Sequence, residues 1–365
     1  MPENSLGVDK LPSQTKVCVA MSGGVDSSAA AVLLKQQGYD VFGLTMDLLQ
    51  EPYCPHISSI KDAAVVAGQI GIEHHYMDLK KEFADRVVNY FTSSYLNGLT
   101  PSPCIMCNRH IKLGLLADKA RELGADILVT GHYAKIEIAE HGVELHRGDD
   151  LKKDQSYFLF DIEKRNLEML RCPLAHYTKD QTREIARQAG LQIYQKSDSQ
   201  DICFVAEGKY VELIEKLHPE FNSCPGDIVT ATGKVLGRHK GLIHYTVGQR
   251  RGLGIGGDVG ILYVLKLDTK NNRLIVGAQE ELKAQTVLIK NINWLGEEKP
   301  AEISLMVKLR SRQNAVAARV RFLEDDMAEV TLQEDFYGAA PGQGCCFYSG
   351  TRVLGGGFIS KSKTT

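Results

Sequence analysis

The sequence has no apolar run near the roughly 18 residues that a membrane-spanning helix needs. Its first 15 residues are polar and lack the apolar segment of a secretory signal. We therefore expect a short disordered leader over residues 1–15 and a cytoplasmic protein without a membrane partner. Nine cysteines occur, and in that compartment they are expected to be reduced thiols rather than disulfides.

The sequence also lacks an excess of positive charge, since 43 Lys and Arg face 45 Asp and Glu and the net charge is −2. A protein that grips nucleic acid through its phosphates usually carries a basic patch. Any such patch must therefore be local. The candidate basic segments are Arg238–Lys240, Arg250–Arg251, Lys308, Arg310 and Arg312.

A glycine turn near the N-terminus lacks the lysine of the usual phosphate-binding loop. It reads Ala20-Met21-Ser22-Gly23-Gly24-Val25-Asp26-Ser27-Ser28, and no lysine occurs between Lys16 and Lys35. An apolar run precedes it and a helical pattern follows, which is a geometry that holds a phosphate on backbone N–H groups. Serine hydroxyls add donors, and Asp26 is placed to hold Mg²⁺ beside the phosphates. The turn resembles the pyrophosphate-binding loop of the N-type ATP pyrophosphatases, which split ATP to AMP and pyrophosphate.

Strands and helices alternate from residue 16 to residue 130. The pattern predicts strands at 17–21, 41–46, 73–78 and 127–130, and helices at 28–37, 58–70, 80–96 and 109–123. Repeated β–α units predict an α/β fold with a doubly wound parallel sheet. Glycine and β-branched residues become dense later, which predicts a small β-rich central domain and then a C-terminal antiparallel β-barrel. We expect the three domains at residues 16–208, 209–282 and 283–365.

Three segments follow predicted strands directly: the glycine turn, Met46–Asp47 and Thr130–His132. Ligands of doubly wound sheets bind beyond the carboxyl ends of the strands. We therefore expect the three segments to converge on one cleft. In that cleft His132 is expected to contact nucleotide or RNA rather than only to cap the strand.

Two cysteines follow a proline-stiffened segment and begin a predicted helix. The segment reads Thr100-Pro101-Ser102-Pro103-Cys104-Ile105-Met106-Cys107-Asn108-Arg109. A helix N-terminus and the positive charges of Arg109 and Lys112 lower the pKa of a thiol, so at least one thiolate is expected near neutral pH. Cys203 lies much later in the chain, in a loop able to fold over the same cleft.

The Cys-x-x-Cys spacing of Cys104 and Cys107 has several interpretations. A structural zinc site usually needs four ligands, and only three cysteines are evident. A thioredoxin-like dithiol needs a fold that the phosphate turn contradicts. An iron–sulfur cluster on Cys104, Cys107 and Cys203 would leave one iron open for substrate sulfur. A persulfide relay between two thiols needs no metal, and plain packing under a proline turn also remains open.

Six motifs occur in order along the chain. They are Met-Ser-Gly-Gly-Val-Asp-Ser-Ser, Thr-Pro-x-Pro-x-x-x-Cys-Asn, Thr-Gly-His-Tyr, Lys-Asp-Gln-Ser-Tyr-Phe-Leu, Asp-Ser-x-x-Ile-Cys-Phe and Gly-Gln-Arg-x-Gly-Leu-Gly-Ile-Gly-Gly. Together they resemble the bacterial tRNA-specific 2-thiouridylases, which thiolate the wobble uridine of certain tRNAs, over about residues 16–358. The resemblance implies an ATP-pyrophosphatase domain (adenine nucleotide alpha hydrolase-like), a central β domain and a β-barrel that together hold tRNA.

The resemblance also implies roles for residues at matching positions. Ala20–Ser27 bind the ATP phosphates with Mg²⁺, and Met46 and Gly131 border the nucleotide. Cys107 matches the nucleophile, and Cys203 matches the cysteine that carries persulfide sulfur delivered by a donor protein, a cysteine desulfurase or relay protein. The segment beside the target base is Ser102, Pro103 and Cys104. Matches to tRNA contacts are His132, Lys153, Asp154, Gln155, Arg310, Ser311 and Gln343.

Cys104 departs from the pattern of many family members, which have aspartate there. The aspartate form uses its carboxylate in acid–base or orienting work that a thiol cannot be assumed to do. The cysteine form resembles thiolases that hold a [4Fe–4S] cluster. Without a cluster, Cys107 and Cys203 form a relay that ends each turnover as a disulfide and needs a reductant. Both routes stay open, with a slight preference for the cluster.

Two other functions compete with thiolation. An amide-forming ATP pyrophosphatase, such as a GMP- or argininosuccinate-synthetase-like ligase, explains the glycine turn but not three placed cysteines. A zinc-stabilised RNA-binding protein leaves the glycine turn without a purpose. We therefore expect ATP-dependent 2-thiolation of wobble uridine, with tRNAs for Lys, Glu and Gln as the substrates that the resemblance implies.

Overall fold

The computed structural model describes residues 4–50, 52, 58–196, 202–206, 208–221, 224–256 and 260–363. The chain divides into two compact units. The first comprises Met1–Arg86, Cys104–Ala206 and Thr351–Leu354, and the second comprises Val87–Pro103, Glu207–Gly350 and Gly355–Thr365. Among the described residues, no helix combines the length and the apolar character that a bilayer crossing demands.

The first unit contains a five-stranded parallel sheet and an antiparallel hairpin. Its strands are β1 Lys16–Ala20, β2 Asp40–Asp47, β3 Glu73–Asp78, β4 Ile127–Val129, β5 Ala134–Ala139, β6 Gly142–Arg147 and β7 Leu170–Arg171. The parallel sheet has the order β3-β2-β1-β4-β7, and β5 and β6 form the hairpin. The sheet order places β1 between β2 and β4. The glycine turn after β1 therefore lies between the segments that follow β2 and β4.

The helices follow the strands as the β–α pattern predicts. They are α1 Val25–Gln36, α2 Ser58–Ile70, α3 Lys80–Phe83, α4 Asn89–Leu96, α5 Pro103–Cys107, α6 Leu116–Glu122, α7 Lys164–Met169, α8 Lys179–Gln188 and α9 Tyr210–Leu217. Two π-helical segments, Ala84–Val88 and Asn108–Leu115, occur where the sequence predicted uninterrupted α-helix. Shorter 3₁₀ turns occupy Pro12–Gln14, Ser156–Leu159, Pro173–His176, Gln192–Gln195, Leu242–His244 and Gln279–Leu282.

The core of the first unit forms where apolar strand residues meet small residues of α1. Val17 and Val19 of β1 and Ala29, Ala30 and Ala31 of α1 are all fully buried. The small alanines let the helix approach the sheet closely, and burial of apolar surface on both sides stabilises the β1–turn–α1 unit. The turn between them is thus fixed from both ends.

The predicted disorder of residues 1–15 is wrong for residues 4–15. Leu6 is buried in the core of the first unit, and its carbonyl accepts a hydrogen bond from Arg171 at 2.8 Å. The Ser5 hydroxyl lies 2.9 Å from the Tyr39 hydroxyl. Polar composition alone did not reveal that one leucine and a few backbone groups have partners far along the chain.

The second unit is built largely from antiparallel strands. Its strands are β8 Gly226–Thr230, β9 Val235–His239, β10 Tyr263–Asp268, β11 Arg273–Gly277, β12 Lys283–Trp294, β13 Glu302–Lys308, β14 Val316–Phe322, β15 Met327–Tyr337, β16 Gly344–Ser349 and β17 Arg352–Lys363, of which the first three residues of β17 belong to the first unit. The first four form one sheet, and the other six run in the order β12-β15-β14-β13-β16-β17 and close through β12–β17 pairing. The predicted fold class, a doubly wound sheet followed by a β-rich region and an antiparallel barrel, is confirmed. Helix α9, however, lies where the sequence predicted β structure.

Candidate active site

The glycine turn connects β1 to α1 and leaves the start of the helix uncapped by any side chain. Gly24 is the N-cap residue and has no side-chain cap. Gly23 has φ of +65°, a left-handed conformation that glycine adopts without steric cost. The N–H groups of the first helical turn, together with the helix dipole, favour an anion at this position.

The serine hydroxyls of the turn are not equivalent. Ser22 is exposed, whereas Ser27 and Ser28 are buried. The Ser28 hydroxyl donates to the Gly24 carbonyl at 2.8 Å, so its role here is to fix the turn. The exposed Ser22 is the hydroxyl best placed for an incoming anion.

Asp26 is held by a lysine that the sequence pattern did not reveal. The Lys179 ammonium donates to both Asp26 carboxylate oxygens at 2.7 and 2.8 Å, and the Tyr133 hydroxyl donates to the same carboxylate at 2.8 Å. Lys179 is the first residue of α8, whose start is fixed by a capping box of Thr178 and Gln181. A positive charge thus reaches the turn from far along the chain.

A second lysine also lies on the turn. The Lys196 ammonium donates to the Gly23 carbonyl at 3.2 Å and to Asp62 at 2.8 Å. The glycine turn has no lysine within its own sequence, but two lysines from later in the chain contact it in the folded unit. The only sequence signal for them was their presence in helical or polar segments, which many surface lysines share.

The segment after β4 packs directly on the glycine turn. A Cβ atom added to Gly131 would lie 2.8 Å from the Ser27 amide nitrogen and 2.9 Å from atoms of Asp26. Only glycine permits this approach. Met46, at the end of β2, is half-buried beside the same edge of the sheet. The glycine turn, Met46–Asp47 and Thr130–His132 thus lie at the same edge of the sheet, as the sequence predicted.

Three thiols and one ammonium form a group beside this segment, which we call the thiol cluster: Cys104, Cys107, Cys203 and Lys112. Cys107 is buried, while Cys104 and Cys203 are exposed, and all three are free thiols. Lys112 acts electrostatically on each of the three cysteines and on His132. The predicted meeting of Cys203 with the Cys-x-x-Cys pair therefore occurs. Residues 197–201 of the motif before Cys203 lie outside the described residues.

The prediction of a thiolate near neutral pH is wrong for the free thiols. Burial raises the pKa of Cys107 to about 12, against the lowering influence of Lys112. The surrounding protein also raises the pKa of Cys104 and Cys203, although both keep solvent access. Desolvation exceeds the effect of the one nearby cation. An ionised sulfur here would need stabilisation beyond what the free protein gives.

Arg109 does not supply the second positive charge that the sequence suggested. Its guanidinium donates to the Asp161 carboxylate at 2.7 Å and to the Asp161 carbonyl at 2.9 Å. Asp161 is buried, and burial raises its pKa to about 6 despite this partner. The charge of Arg109 is thus compensated within a buried pair, which leaves Lys112 as the cation of the thiol cluster.

His132 is uncharged in this setting. Burial, with a smaller contribution from Lys112, lowers its pKa to about 3. Its Nδ1 atom lies 2.8 Å from the Thr130 hydroxyl. His132 is therefore suited to hydrogen bonding and not to neutralising a phosphate.

The spacing of the thiols bears on which metal they could hold. Two thiolates on one zinc ion at ~2.3 Å each lie no more than ~4.6 Å apart. Among the described residues, the one group of three or more ligand-type side chains with donor atoms within 4.8 Å of one another is Glu137, Glu144 and His146. The three sulfur atoms therefore do not fit a single ion, whereas thiolates on different irons of a cluster stand farther apart.

The Glu137, Glu144 and His146 group itself carries no metal inference. Lys135 pairs with Glu137, and Arg352 lies 3.1 Å from Glu144. His146 Nε2 lies 2.9 Å from Glu144. Protein groups thus compensate the charges of this hairpin.

The three residues Lys153, Asp154 and Gln155, which match tRNA contacts, all make internal hydrogen bonds. The Gln155 side-chain oxygen accepts from the Tyr133 N–H at 3.0 Å, and the Gln155 backbone N–H donates to the Tyr133 carbonyl at 2.8 Å. The Asp154 carboxylate accepts from the Ser156 N–H at 3.0 Å. These bonds order the loop against the segment that carries His132. A tRNA contact by the three residues remains a prediction.

The remaining predicted site residues belong to the second unit. Ser102 and Pro103 are buried. Arg310 donates to the Gly338 carbonyl, and Ser311 follows it in a half-buried turn. Gln343 donates to the carbonyls of Thr100 and Pro101 at 3.0 and 3.3 Å. The implied tRNA contact of Gln343 therefore competes with bonds that its amide already makes.

Gln343→Leu is expected to lower the free energy of unfolding by about 1–3 kcal/mol, because it leaves two carbonyls without their donor. The Thr100 N–H also donates to the Pro341 carbonyl at 2.7 Å, so three backbone groups of Thr100 and Pro101 are bonded here. Urea unfolding measures the change. Gln333→Leu, at an exposed position of β15, is the matched control. Equal stability of the two variants would contradict the bracing role.

Comparison with known proteins gives family matches along most of the chain. Family models described as the tRNA methyl transferase HUP domain, the tRNA methyl transferase PRC-barrel domain and the aminomethyltransferase beta-barrel domain match residues 15–207, 215–278 and 284–359. The tRNA-specific 2-thiouridylase MnmA of Rhodospirillum centenum is 47% identical over 376 residues, covering 99% of this chain and 96% of that protein. The MnmA of Paramagnetospirillum magneticum is 47% identical over 373 residues, covering 99% of each.

Solved structures match more weakly. The U34-tRNA thiolase NcsA from Methanococcus maripaludis, with its [4Fe-4S] cluster, matches with a TM-score of 0.38 and 20% identity, covering 59% of this chain and 68% of that chain. Although the family models are described by methyl transfer, the full-length relatives are thiouridylases. At this identity and coverage, the chain belongs to the MnmA family of tRNA-specific 2-thiouridylases.

Proposed function

We propose that this chain, as an ATP-dependent tRNA uridine 2-thiolase, works by adenylating the wobble uracil and then replacing its O2 with sulfur. One observation carries the proposal. The segment Thr130–His132 lies beside both the glycine turn and the thiol cluster. Gly131 packs on the glycine turn, and the charge of Lys112 acts on His132 as it does on the three thiols. An activated oxygen and a sulfur source thus belong to one site of the first unit.

The first step activates a poor leaving group. Uracil O2 attacks the α-phosphorus of ATP, the bond to pyrophosphate breaks, and the N3 proton is lost to solvent. The N–H groups of the glycine turn and Lys179 stabilise the negative charge that develops on the phosphates. Mg²⁺ would be held beside Asp26 with the phosphates and would supply further charge neutralisation.

The second step exchanges oxygen for sulfur. In the relay route, the terminal sulfur of a Cys203 persulfide attacks C2, and AMP leaves with O2. The Cys107 thiolate then attacks the Cys203 sulfur, which breaks the S–S bond and leaves the thiocarbonyl on the base. A Cys107–Cys203 disulfide remains, and an external thiol reductant supplies the two electrons that convert it back to two thiols. A donor protein, a cysteine desulfurase or relay protein, delivers the next sulfur.

Recognition of the tRNA belongs to residues of both units, each considered separately. In the first unit the neutral His132 and the loop of Lys153–Gln155 are proposed to contact the anticodon arm, whose unpaired bases turn out of the stack easily. In the second unit Ser102 and Pro103 are proposed to lie beside the target base, and Arg310, Ser311 and Gln343 along the backbone. Arg310 supplies a local positive charge for RNA phosphates, although the net charge of the whole chain is −2.

One assay separates thiolation from its competitors. The protein is incubated with ATP, a sulfur donor and an unmodified tRNA transcript with a uridine at the wobble position. We expect 2-thiouridine by mass spectrometry, with AMP and pyrophosphate formed in step with it. ATP cleavage without tRNA and with consumption of an amine acceptor would instead establish a ligase. Binding of tRNA without ATP cleavage would leave an RNA-binding protein.

A [4Fe–4S] cluster is the alternative way to hold the sulfur. Cys104, Cys107 and Cys203 would hold it, because cysteine thiolates are the usual ligands of such clusters. When bound, the cluster would supply an iron site that carries the transferred sulfur. Cys104 is the ligand that the aspartate members lack.

The cluster route predicts that Cys104→Asp loses bound iron and visible absorption after anaerobic purification, and loses thiolation with them. The relay route predicts that the same variant keeps thiolation. Iron quantitation on the wild-type chain decides first, since full activity of a metal-free protein contradicts the cluster. Cys18→Ser, at a buried cysteine outside the thiol cluster, controls for loss of a thiol in general.

A further inference from the structure

The π-helical segment Asn108–Leu115 sets the relation between Cys107 and Lys112. Residues five apart in an α-helix point about 140° away from each other. In a π-helix the hydrogen bond joins residues five apart, which brings them onto one face. Cys107 is the N-cap residue of the segment, and Lys112 is the fifth residue after it. The backbone pattern therefore turns Lys112 toward Cys107.

The π pattern is built into the backbone of this helix. The Leu116 N–H donates to the Ile111 carbonyl, five residues earlier. A Cβ added to Gly114 would lie 2.8 Å from the Arg109 carbonyl oxygen, again five residues earlier. Real Cβ atoms do not tolerate that distance from a backbone oxygen, so a glycine at 114 is needed for this geometry. Isolated π turns inside helices often mark functional sites.

Lys112 is the charge that the thiols share. The other basic residue of the helix start, Arg109, is paired with Asp161, and His132 is neutral. Among the described residues, Lys112 is the cation that acts on Cys104, Cys107 and Cys203 alike.

We propose that the π-helical segment places Lys112 as the fixed counter-charge for the anionic sulfur of the thiol cluster, which makes Lys112 a positioning residue for sulfur transfer. The inference rests on the proposed function for its purpose, but not for its geometry. A terminal persulfide sulfur and a set of thiolate ligands are both anionic, and either is costly in desolvated surroundings without a partner. Lys112 thus serves both sulfur routes.

The test measures local charge independently of thiol ionisation. The reduced, metal-free full-length chain is alkylated with iodoacetate, an anion, and in parallel with iodoacetamide, which is neutral, and the rate at each cysteine is followed by peptide mass spectrometry. Both reagents require the same thiolate, so the thiolate fraction cancels in their rate ratio. A nearby positive charge raises the ratio. Cys203 and Cys104 are read because both are exposed, and the exposed Cys224 of the second unit is the internal reference.

Lys112→Met is expected to lower the iodoacetate-to-iodoacetamide ratio at Cys203 by about threefold or more, the effect of one charge about 6 Å away in a water-like dielectric. Lys112→Arg is expected to keep the ratio, and Lys112→Gln serves as a second neutral variant if the first does not fold. Lys119→Met, in α6, is the matched control. An unchanged ratio in a folded neutral variant overturns the proposal.

Gly114→Ala tests the π geometry while leaving Lys112 in place. The added methyl group clashes with the Arg109 carbonyl, so the helix is expected to shift toward α register and to turn Lys112 away. The ratio at Cys203 should then fall as in Lys112→Met. A normal ratio in folded Gly114→Ala contradicts the role assigned to the π segment. If the ratio depends on Lys112 but wild-type protein makes no 2-thiouridine, the charge placement stands and the proposed function fails.

Discussion

Cys203→Ser is expected to lower tRNA thiolation by on the order of 10³-fold or more, while tRNA-dependent release of pyrophosphate continues. A hydroxyl cannot carry a persulfide sulfur or act as a thiolate ligand, so the second step stops under either sulfur route. In the proposed mechanism the first step uses the glycine turn, Asp26 and Lys179, none of which the substitution changes. Pyrophosphate release and 2-thiouridine formation, measured in the same reaction, separate the two steps.

Cys107→Ser is expected to behave in the same way, because Cys107 either resolves the persulfide or ligates the cluster. The two variants differ in what accumulates. Under the relay, Cys107→Ser retains the donated sulfur on Cys203, and mass spectrometry detects it as a gain of ~32 Da. Cys224→Ser, at an exposed cysteine of the second unit, is the control. Full thiolation of tRNA by Cys203→Ser or by Cys107→Ser would refute the role assigned to the thiol that was replaced.

The sequence predicted the sheet well because its signals are local. Apolar runs of β1 and β4 and the glycine stops after α1 and α2 give the strand–helix alternation, and α2 and β3 begin and end where the pattern predicts. Each of these elements buries one face against its neighbours, so periodicity carries the information. The glycine turn follows from the same logic.

The electrostatics of the site could not be predicted in this way. Lys179 lies 153 residues from Asp26 in the sequence, and no spacing rule connects the two residues. The thiol pKa values were predicted in the wrong direction because helix position and nearby charge were visible in the sequence but burial was not. The π register of Asn108–Leu115 was missed as well, since Gly114 inside a helical pattern looks like a tolerated weak point.

Lys179→Met is expected to lower tRNA-dependent pyrophosphate release by about 10²–10³-fold, and thiolation with it. The Asp26–Lys179 pair is largely shielded, with side-chain exposures of 33% and 13%, so the lost charge is not replaced by solvent. Removing the lysine takes positive charge from the turn proposed to bind the phosphates, and it leaves the Asp26 carboxylate without its ammonium partner. ATP titrations at saturating tRNA give kcat and KM separately.

The comparison that decides the role of Lys179 is with Lys179→Arg. If Lys179 stabilises the developing charge on the phosphates, arginine restores part of kcat, because it keeps a cation at the turn although its geometry differs. If the lysine only holds Asp26 in place for stability, thermal unfolding shifts in Lys179→Met while kcat per folded molecule does not. Lys35→Met, in the last turn of α1 and exposed, controls for charge loss at a distance from the turn. Wild-type pyrophosphate release by Lys179→Met would show that the glycine turn does not need Lys179.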